Sequence, residues 1–285
     1  MTPPTSTERP TVADPATSNV AGPVGAPAIV FVHGTRLTRA LWTAQLHDLS
    51  DTYRVAALDL PGHGALRSKP FELDGAADHV AAVIRATAPV GDPRAVVVGL
   101  SLGGYVAMHL ARRQPELVRG LVLSGSTAEP VAWRAVPYRG LAWVMERFAG
   151  ERLDRLNRWF FRTRYPATAA EPIVAGGFWY AGGASALRAL IGRSFVPALA
   201  AYPGPTLFLN GTWDLPFRLS ATTFARAAQH PRRVRLAGAT HLANLDRPRA
   251  FAVAIRRFMV SLEPAAEGVG EGPDGRLGRP LTTHP

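Results

Sequence analysis

The feature that most constrains this chain is a valine-rich run that stops at one serine between glycines and resumes as a helical pattern. It reads Ala95-Val96-Val97-Val98-Gly99-Leu100-Ser101-Leu102-Gly103-Gly104, followed by apolar residues at helical spacing from Tyr105 to Arg112. The β-branched run predicts a buried strand, and the amphipathic stretch after it predicts a helix. A turn so sharp leaves little room for side chains, so Gly99 and Gly103 hold Ser101 on a strained backbone with its hydroxyl exposed. The amide of Leu102, first in the helix, then points at whatever that hydroxyl attacks. The prediction is an acyl-transfer nucleophile. Glycine and serine are common, so the pattern gains its specificity from its place between strand and helix and from its partners.

Around this turn, near-continuous apolar runs alternate with helical patterns, as buried parallel strands do. Strands are predicted over 28–33, 54–60, 95–100, 119–124, 206–210 and 234–237, and helices over 38–49, 74–88, 102–113 and 247–262. The alternation predicts an α/β fold with a doubly wound, mostly parallel sheet, whose functional loops gather outside the carboxyl ends of the strands. The expected organisation is a core of residues 28–128 and 204–263, interrupted by a helical lid insertion over 129–203. That interval has no strand pattern and holds 13 of the 24 aromatic residues, among them Trp133, Trp143, Trp159-Phe160-Phe161 and Phe178-Trp179-Tyr180. Some of these rings are expected to pack the lid and others to face an apolar substrate. Residues 1–27, rich in Pro, Thr and Ala, and residues 264–285 have too few apolar groups to offset ordering entropy, and both are expected to be flexible.

Composition narrows the chemistry. With no cysteine among the 285 residues there is no disulfide, thiol nucleophile or thiolate-bound metal. No His/Asp/Glu cluster has metal-ligand spacing, so neither a metal nor another cofactor is expected. The chain lacks a secretory signal pattern and any apolar stretch of the roughly 18 residues a membrane span needs, so a cytoplasmic protein without a membrane partner is expected. The formal charge of +11 comes almost wholly from arginine, with Lys69 the only lysine. No nucleic-acid module surrounds the clusters Arg112-Arg113, Arg152-Arg155-Arg158, Arg232-Arg233-Arg235 and Arg256-Arg257, which read first as a solvated basic surface. An anionic acyl carrier is the partner such a surface would suit.

A serine hydroxyl needs a base within hydrogen-bond reach, usually a histidine oriented by a carboxylate. His241 follows the last predicted strand in a small-residue loop and is the candidate base; Asp214, just beyond the preceding strand, is the candidate carboxylate. The chain order Ser101, Asp214, His241 suits a nucleophile of this kind. Glu129 is the rival acid, whereas Asp246 is close in sequence to His241 and is expected to cap a helix. The backbone amides of Thr35 and Leu102 are the candidate oxyanion donors, since Gly34 lets the chain turn its amides toward the serine. Arg36 could bind a substrate carboxylate, but pairing with an acid on the rim is the favoured expectation. His33 is expected to brace the oxyanion loop and His63 to anchor its own turn.

Taken together, these residues resemble the α/β-hydrolase superfamily over about Ala28 to Leu262. The resemblance rests on Val32-His33-Gly34, Asp59-Leu60-Pro61-Gly62-His63-Gly64, the serine turn, Gly211-Thr212-Trp213-Asp214, and Thr240-His241 with Pro248 and Phe251 after it. It implies the nucleophile role for Ser101, the rest of a triad for Asp214 and His241, and an oxyanion amide for Thr35. Two departures stand out. The residue before the histidine, often glycine in that superfamily, is Thr240. The usual N-terminal β-hairpin is not evident, which predicts a six-stranded core. A serine at 101, rather than aspartate, argues against the haloalkane dehalogenase and epoxide hydrolase branches.

The reading that follows is a serine hydrolase cleaving a carboxylic ester or lactone of an apolar small molecule through an acyl-enzyme. Thioester hydrolysis, acyl transfer, perhydrolysis and carbon–carbon bond hydrolysis use the same machinery, and fold alone does not choose among them. A non-catalytic, receptor-like member that only binds a small molecule is the alternative of a different class.

Overall fold

Strands buried on both faces must be apolar at every position, and that is how the centre of this protein is built. The computed structural model describes residues 16–263; of the segments expected to be flexible, residues 1–15 of 1–27 and all of 264–285 lie outside the described residues. Among the described residues the sheet has seven strands in the order β1-β3-β2-β4-β5-β6-β7. They are β1 (Ser18–Ala21), β2 (Ala28–Val32), β3 (Arg54–Leu58), β4 (Ala95–Leu100), β5 (Val118–Ser124), β6 (Pro205–Gly211) and β7 (His230–Leu236). All neighbouring pairs run parallel except β1 and β3. In β2, Ile29 and Phe31 pack into the core on one face, while Ala28, Val30 and Val32 pack into the core on the other.

Helices cover both faces. α1 (Thr43–Leu49) and the C-terminal α11 (Pro248–Val260) contact each other and bury Leu46, Leu49, Phe251 and Ile255 on one side. α2 (Leu73–Thr87), α3 (Leu102–Arg113) and α9 (Leu215–Ala227) bury Val80, Ile84, Val106, Leu110 and Phe224 on the other. A short α10 (Ala243–Asp246) precedes α11. Between β5 and β6 the chain forms α4 (Val136–Phe148), α5 (Glu151–Arg164), α6 (Ala167–Gly176), α7 (Tyr180–Leu190) and α8 (Val196–Ala201). No helix among the described residues is long and apolar enough to cross a membrane.

Four features depart from expectation. The sheet has seven strands, not six, because Ser18–Ala21 pairs antiparallel with β3, Ser18 opposite Leu58 and Ala21 opposite Val55. The segment before Ala28 is therefore not flexible throughout: Gly22 turns the chain at φ +90°, and Arg54 donates to its carbonyl at 2.7 Å. The last strand begins at His230, four residues before the apolar run, since an edge strand can expose Arg232, Arg233 and Arg235 to water. The predicted helix over 38–49 divides into a 3-10 turn, Arg39–Trp42, and α1. Finally, α9 has no counterpart among the predicted helices: its buried residues, Ala221, Phe224 and Ala225, make too narrow a stripe.

Candidate active site

Ser101 stands between β4 and α3 with φ +52° and ψ −116°, a sparsely populated positive-φ conformation that costs a residue with a β-carbon about 1–3 kcal/mol. The turn is held by the Ser101 amide donating to Ser124 O at 2.8 Å and the Gly104 amide donating to Ser101 O at 2.9 Å. The flanking glycines are required by contact. A β-carbon on Gly99 would collide with the backbone of Gly103 and Gly104, and one on Gly103 with the carbonyl of Val32. Strand and helix therefore approach more closely than any larger residue would permit.

Asp214 follows β6 and His241 follows β7, and the His241 Nδ1 lies 3.1 Å from the Asp214 Oδ2. Asp214 is buried behind the ring, whereas His241 is partly exposed. The two loops are knit together, with Trp213 N donating to Ala239 O at 2.9 Å and Thr212 N to Leu236 O at 3.0 Å. Phe217, from the first turns of α9, stacks on the imidazole at 5.0 Å between ring centroids. Beneath the ring, Gly125 adopts φ +55°, and a β-carbon there would press into His241 and approach Asp214. Asp246 caps no helix, contrary to expectation. Its Oδ2 accepts from the Thr240 amide and hydroxyl, both at 2.6 Å, and its Oδ1 accepts from Arg164 at 2.8 Å and from the Tyr165 hydroxyl at 3.2 Å. This carboxylate ties the histidine loop to α5. Glu129, the rival acid, accepts from the amides of Phe195 and Val196 at the start of α8.

Past β2, two histidines shape the backbone. His33 Nδ1 donates to Gly34 O at 2.8 Å while its Nε2 accepts from Leu60 N at 3.0 Å. His63 Nδ1 donates to Pro61 O at 2.9 Å while its Nε2 accepts from Arg36 N at 3.2 Å. Burial lowers the His33 pKa to about 4 and, aided by its histidine neighbour, that of His63 to about 3. Both rings are thus neutral and fixed in one tautomer. The Thr35 and Leu102 amides donate to no other group among the described residues. Arg36 has φ +58°, and its carbonyl accepts from Trp179 N at 2.9 Å, joining this loop to the helical insertion. It forms no ion pair among the described residues, so the expected partner on the rim is missing: no acidic side chain reaches it.

Ser101, Thr35, Leu102 and His241 all line one cavity of about 680 Å³. No hydrogen bond joins the Ser101 hydroxyl to the His241 ring among the described residues. Leu37, Tyr138, Leu141, Phe161 and Leu187 supply much of the apolar wall. Of the aromatic residues in the insertion, Trp133, Tyr138, Phe160 and Phe161 reach the cavity, Phe178 stacks behind Phe161 at 5.6 Å, and Trp143 and Trp159 face outward. Two contributors carried no sequence signal of their own. Gly125 is recognisable only through its contact with His241, and Tyr105 through a 2.6 Å hydrogen bond between its hydroxyl and that of Tyr138 across the cavity wall.

A model of the alpha/beta hydrolase family matches residues 29–254. The pimeloyl-[acyl-carrier protein] methyl ester esterase of Xanthomonas campestris pv. campestris is 30% identical over 259 residues, covering 83% of this chain and 96% of that protein. The protein of the same name from Neisseria meningitidis serogroup C is 41% identical over 115 residues, covering 40% of this chain and only 42% of the relative's length. Among solved structures, a thermophilic esterase from Thermogutta terrifontis has a TM-score of 0.72 at 26% identity, covering 86% of this chain and 93% of that one.

Proposed function

This chain belongs to the alpha/beta hydrolase family, and from that premise we propose that it is a serine esterase acting on a carboxylic ester or lactone of a small molecule whose hydrocarbon part lies against an apolar wall. The Ser101 Oγ attacks the carbonyl carbon as His241 Nε2 takes the hydroxyl proton, and Asp214 steadies the resulting imidazolium. Negative charge gathers on the carbonyl oxygen, where the amides of Thr35 and Leu102 receive it. Collapse of the tetrahedral intermediate breaks the bond to the alkoxy oxygen, which leaves as the alcohol with the proton returned by His241. Water then attacks the acyl-enzyme, His241 accepts its proton, and release of the acid restores the Ser101 hydroxyl. Serine–histidine hydrogen bonds of this kind are often long in unliganded sites and tighten when substrate arrives.

The observation that carries the reading is the convergence of Ser101, Thr35, Leu102 and His241 on one largely apolar cavity, with Asp214 hydrogen-bonded behind the imidazole. The names of the relatives, which specify a methyl ester on an acyl-carrier protein, favour a second form of it. In that form an anionic carrier presents the acyl chain, and the exposed Arg139, Arg147, Arg152 and Arg155 suit such a partner. The test common to both is Ser101→Ala, expected to lower turnover of chromogenic acyl esters by about 10⁵ or more. The same substitution is expected to abolish covalent labelling by a fluorophosphonate. Labelling that survives it would overturn the assignment of the nucleophile.

A further inference from the structure

Arg36 follows directly on Thr35, so its side chain starts one residue from a proposed oxyanion amide. It lines the cavity, it is half-buried, and its Nε is fully buried with no hydrogen-bond partner. Some described arginines pair with acids, as Arg39 does with Asp59, Arg162 with Glu171 and Arg164 with Asp246, each at 2.8 Å, but Arg36 forms no such pair. Among the described residues no Asp or Glu lines the cavity, whose positively charged lining residues are Arg36 and the exposed Arg134. Burial pulls the Arg36 guanidinium below its ordinary value, opposed by the neighbouring Tyr180 phenol. A cation withdrawn from water without a counter-ion is a cost that a bound anion recovers. The backbone makes the position more telling. Arginine holds φ +58° here, a conformation natural to glycine or asparagine, while its amide and carbonyl are spent on His63 and Trp179.

We propose that Arg36 binds a carboxylate of the substrate, so that the preferred ester carries an ionised carboxyl group on its acyl part, as a half-ester of an aliphatic dicarboxylic acid does. This rests on the esterase reading above. In this arrangement the acyl part carries its free carboxylate toward the Arg36 guanidinium, and the alcohol is the group that leaves. The methylenes between the two carboxyl carbons lie against the apolar wall of Leu37, Phe161 and Leu187. The guanidinium presents a planar fork that can donate one N–H to each carboxylate oxygen, a match that an ammonium does not make.

The test compares monomethyl succinate, glutarate and adipate with methyl butyrate, valerate and hexanoate, following acid release. The wild-type protein is expected to favour at least one half-ester over the neutral ester of equal chain length. Arg36→Gln is expected to lower that ratio of kcat/KM by about tenfold to a hundredfold, and Arg36→Lys to retain more of it than Gln does. A ratio unchanged in Arg36→Gln, or a wild-type preference for every neutral ester, overturns the proposal. Inhibition of the wild type needs no substitution at Arg36: adipate is expected to compete and the neutral adipamide not to, and equal inhibition by both counts against a carboxylate site. Calorimetry of glutarate and adipate with Ser101→Ala separates this proposal from the esterase reading. Binding there that is weakened at least tenfold by adding Arg36→Gln upholds the carboxylate site even if no ester is turned over. Absence of fluorophosphonate labelling at Ser101 fails only the nucleophile.

Discussion

The residues that govern this site most tightly are ones with no chemistry of their own. Gly125 lies under the His241 ring at φ +55°, close to both the imidazole and the Asp214 carboxylate. A methyl group there must displace the ring or the backbone. Gly125→Ala is therefore expected to lower kcat by about 10²-fold, the scale that ångström-level misplacement produces. It is also expected to cost about 1–3 kcal/mol of stability through backbone strain. Kinetics with a neutral ester, together with a denaturant melt, would check both. Retained kcat would mean the ring does not need that floor. The hydroxyl, carboxylate and imidazole proposed for the site could be chosen from sequence because each follows a strand at the carboxyl edge of a parallel sheet. Gly125 could not, since its constraint comes from contacts with residues far along the chain. The solitude of Arg36 was equally hidden, because sequence shows which acids exist and not which ones reach a given cation.

At the scale of elements, the five central strands were legible because burial on both faces demands unbroken apolar runs. β1 escaped notice because four residues with one β-branched side chain make no run, and its order derives from pairing with β3. The early part of β7 was hidden by its arginines. The helical insertion declared itself by composition, yet its attachment to the core is a matter of backbone contact: Gly182 of α7 rests on Gly62 in the loop after β3, with no room for a side chain between them. Gly182→Val is expected to lift α7 from that loop and loosen the wall that Leu187 contributes. The kinetic signature would be KM raised about tenfold or more with a smaller change in kcat, since a displaced wall weakens binding of ground state and transition state together. Unchanged KM would show that α7 yields elsewhere.

For the molecule as a whole, the buried histidine pair links folding to acidity. In the native state His33 and His63 remain neutral down to about 4 and about 3, while in the unfolded chain each protonates near 6.5. Between those limits the unfolded state binds more protons, so the stability these rings contribute is full above pH 6.5 and declines as pH falls below it. The slope is up to about 1.4 kcal/mol per pH unit for each ring. Melting temperatures taken from pH 7.5 to 5 should fall accordingly, and His63→Gln should show a shallower decline than the wild type. Parallel slopes would place the acid sensitivity elsewhere.

The arginines of β7 carry a consequence for crowded conditions. Two copies approaching through that open rim would bring Arg232, Arg233 and Arg235 of each against the same cations of the other before any backbone ladder could form. Mutual repulsion along this border works against end-to-end stacking of sheets into fibres, and any self-assembly of the protein would have to proceed through a different face.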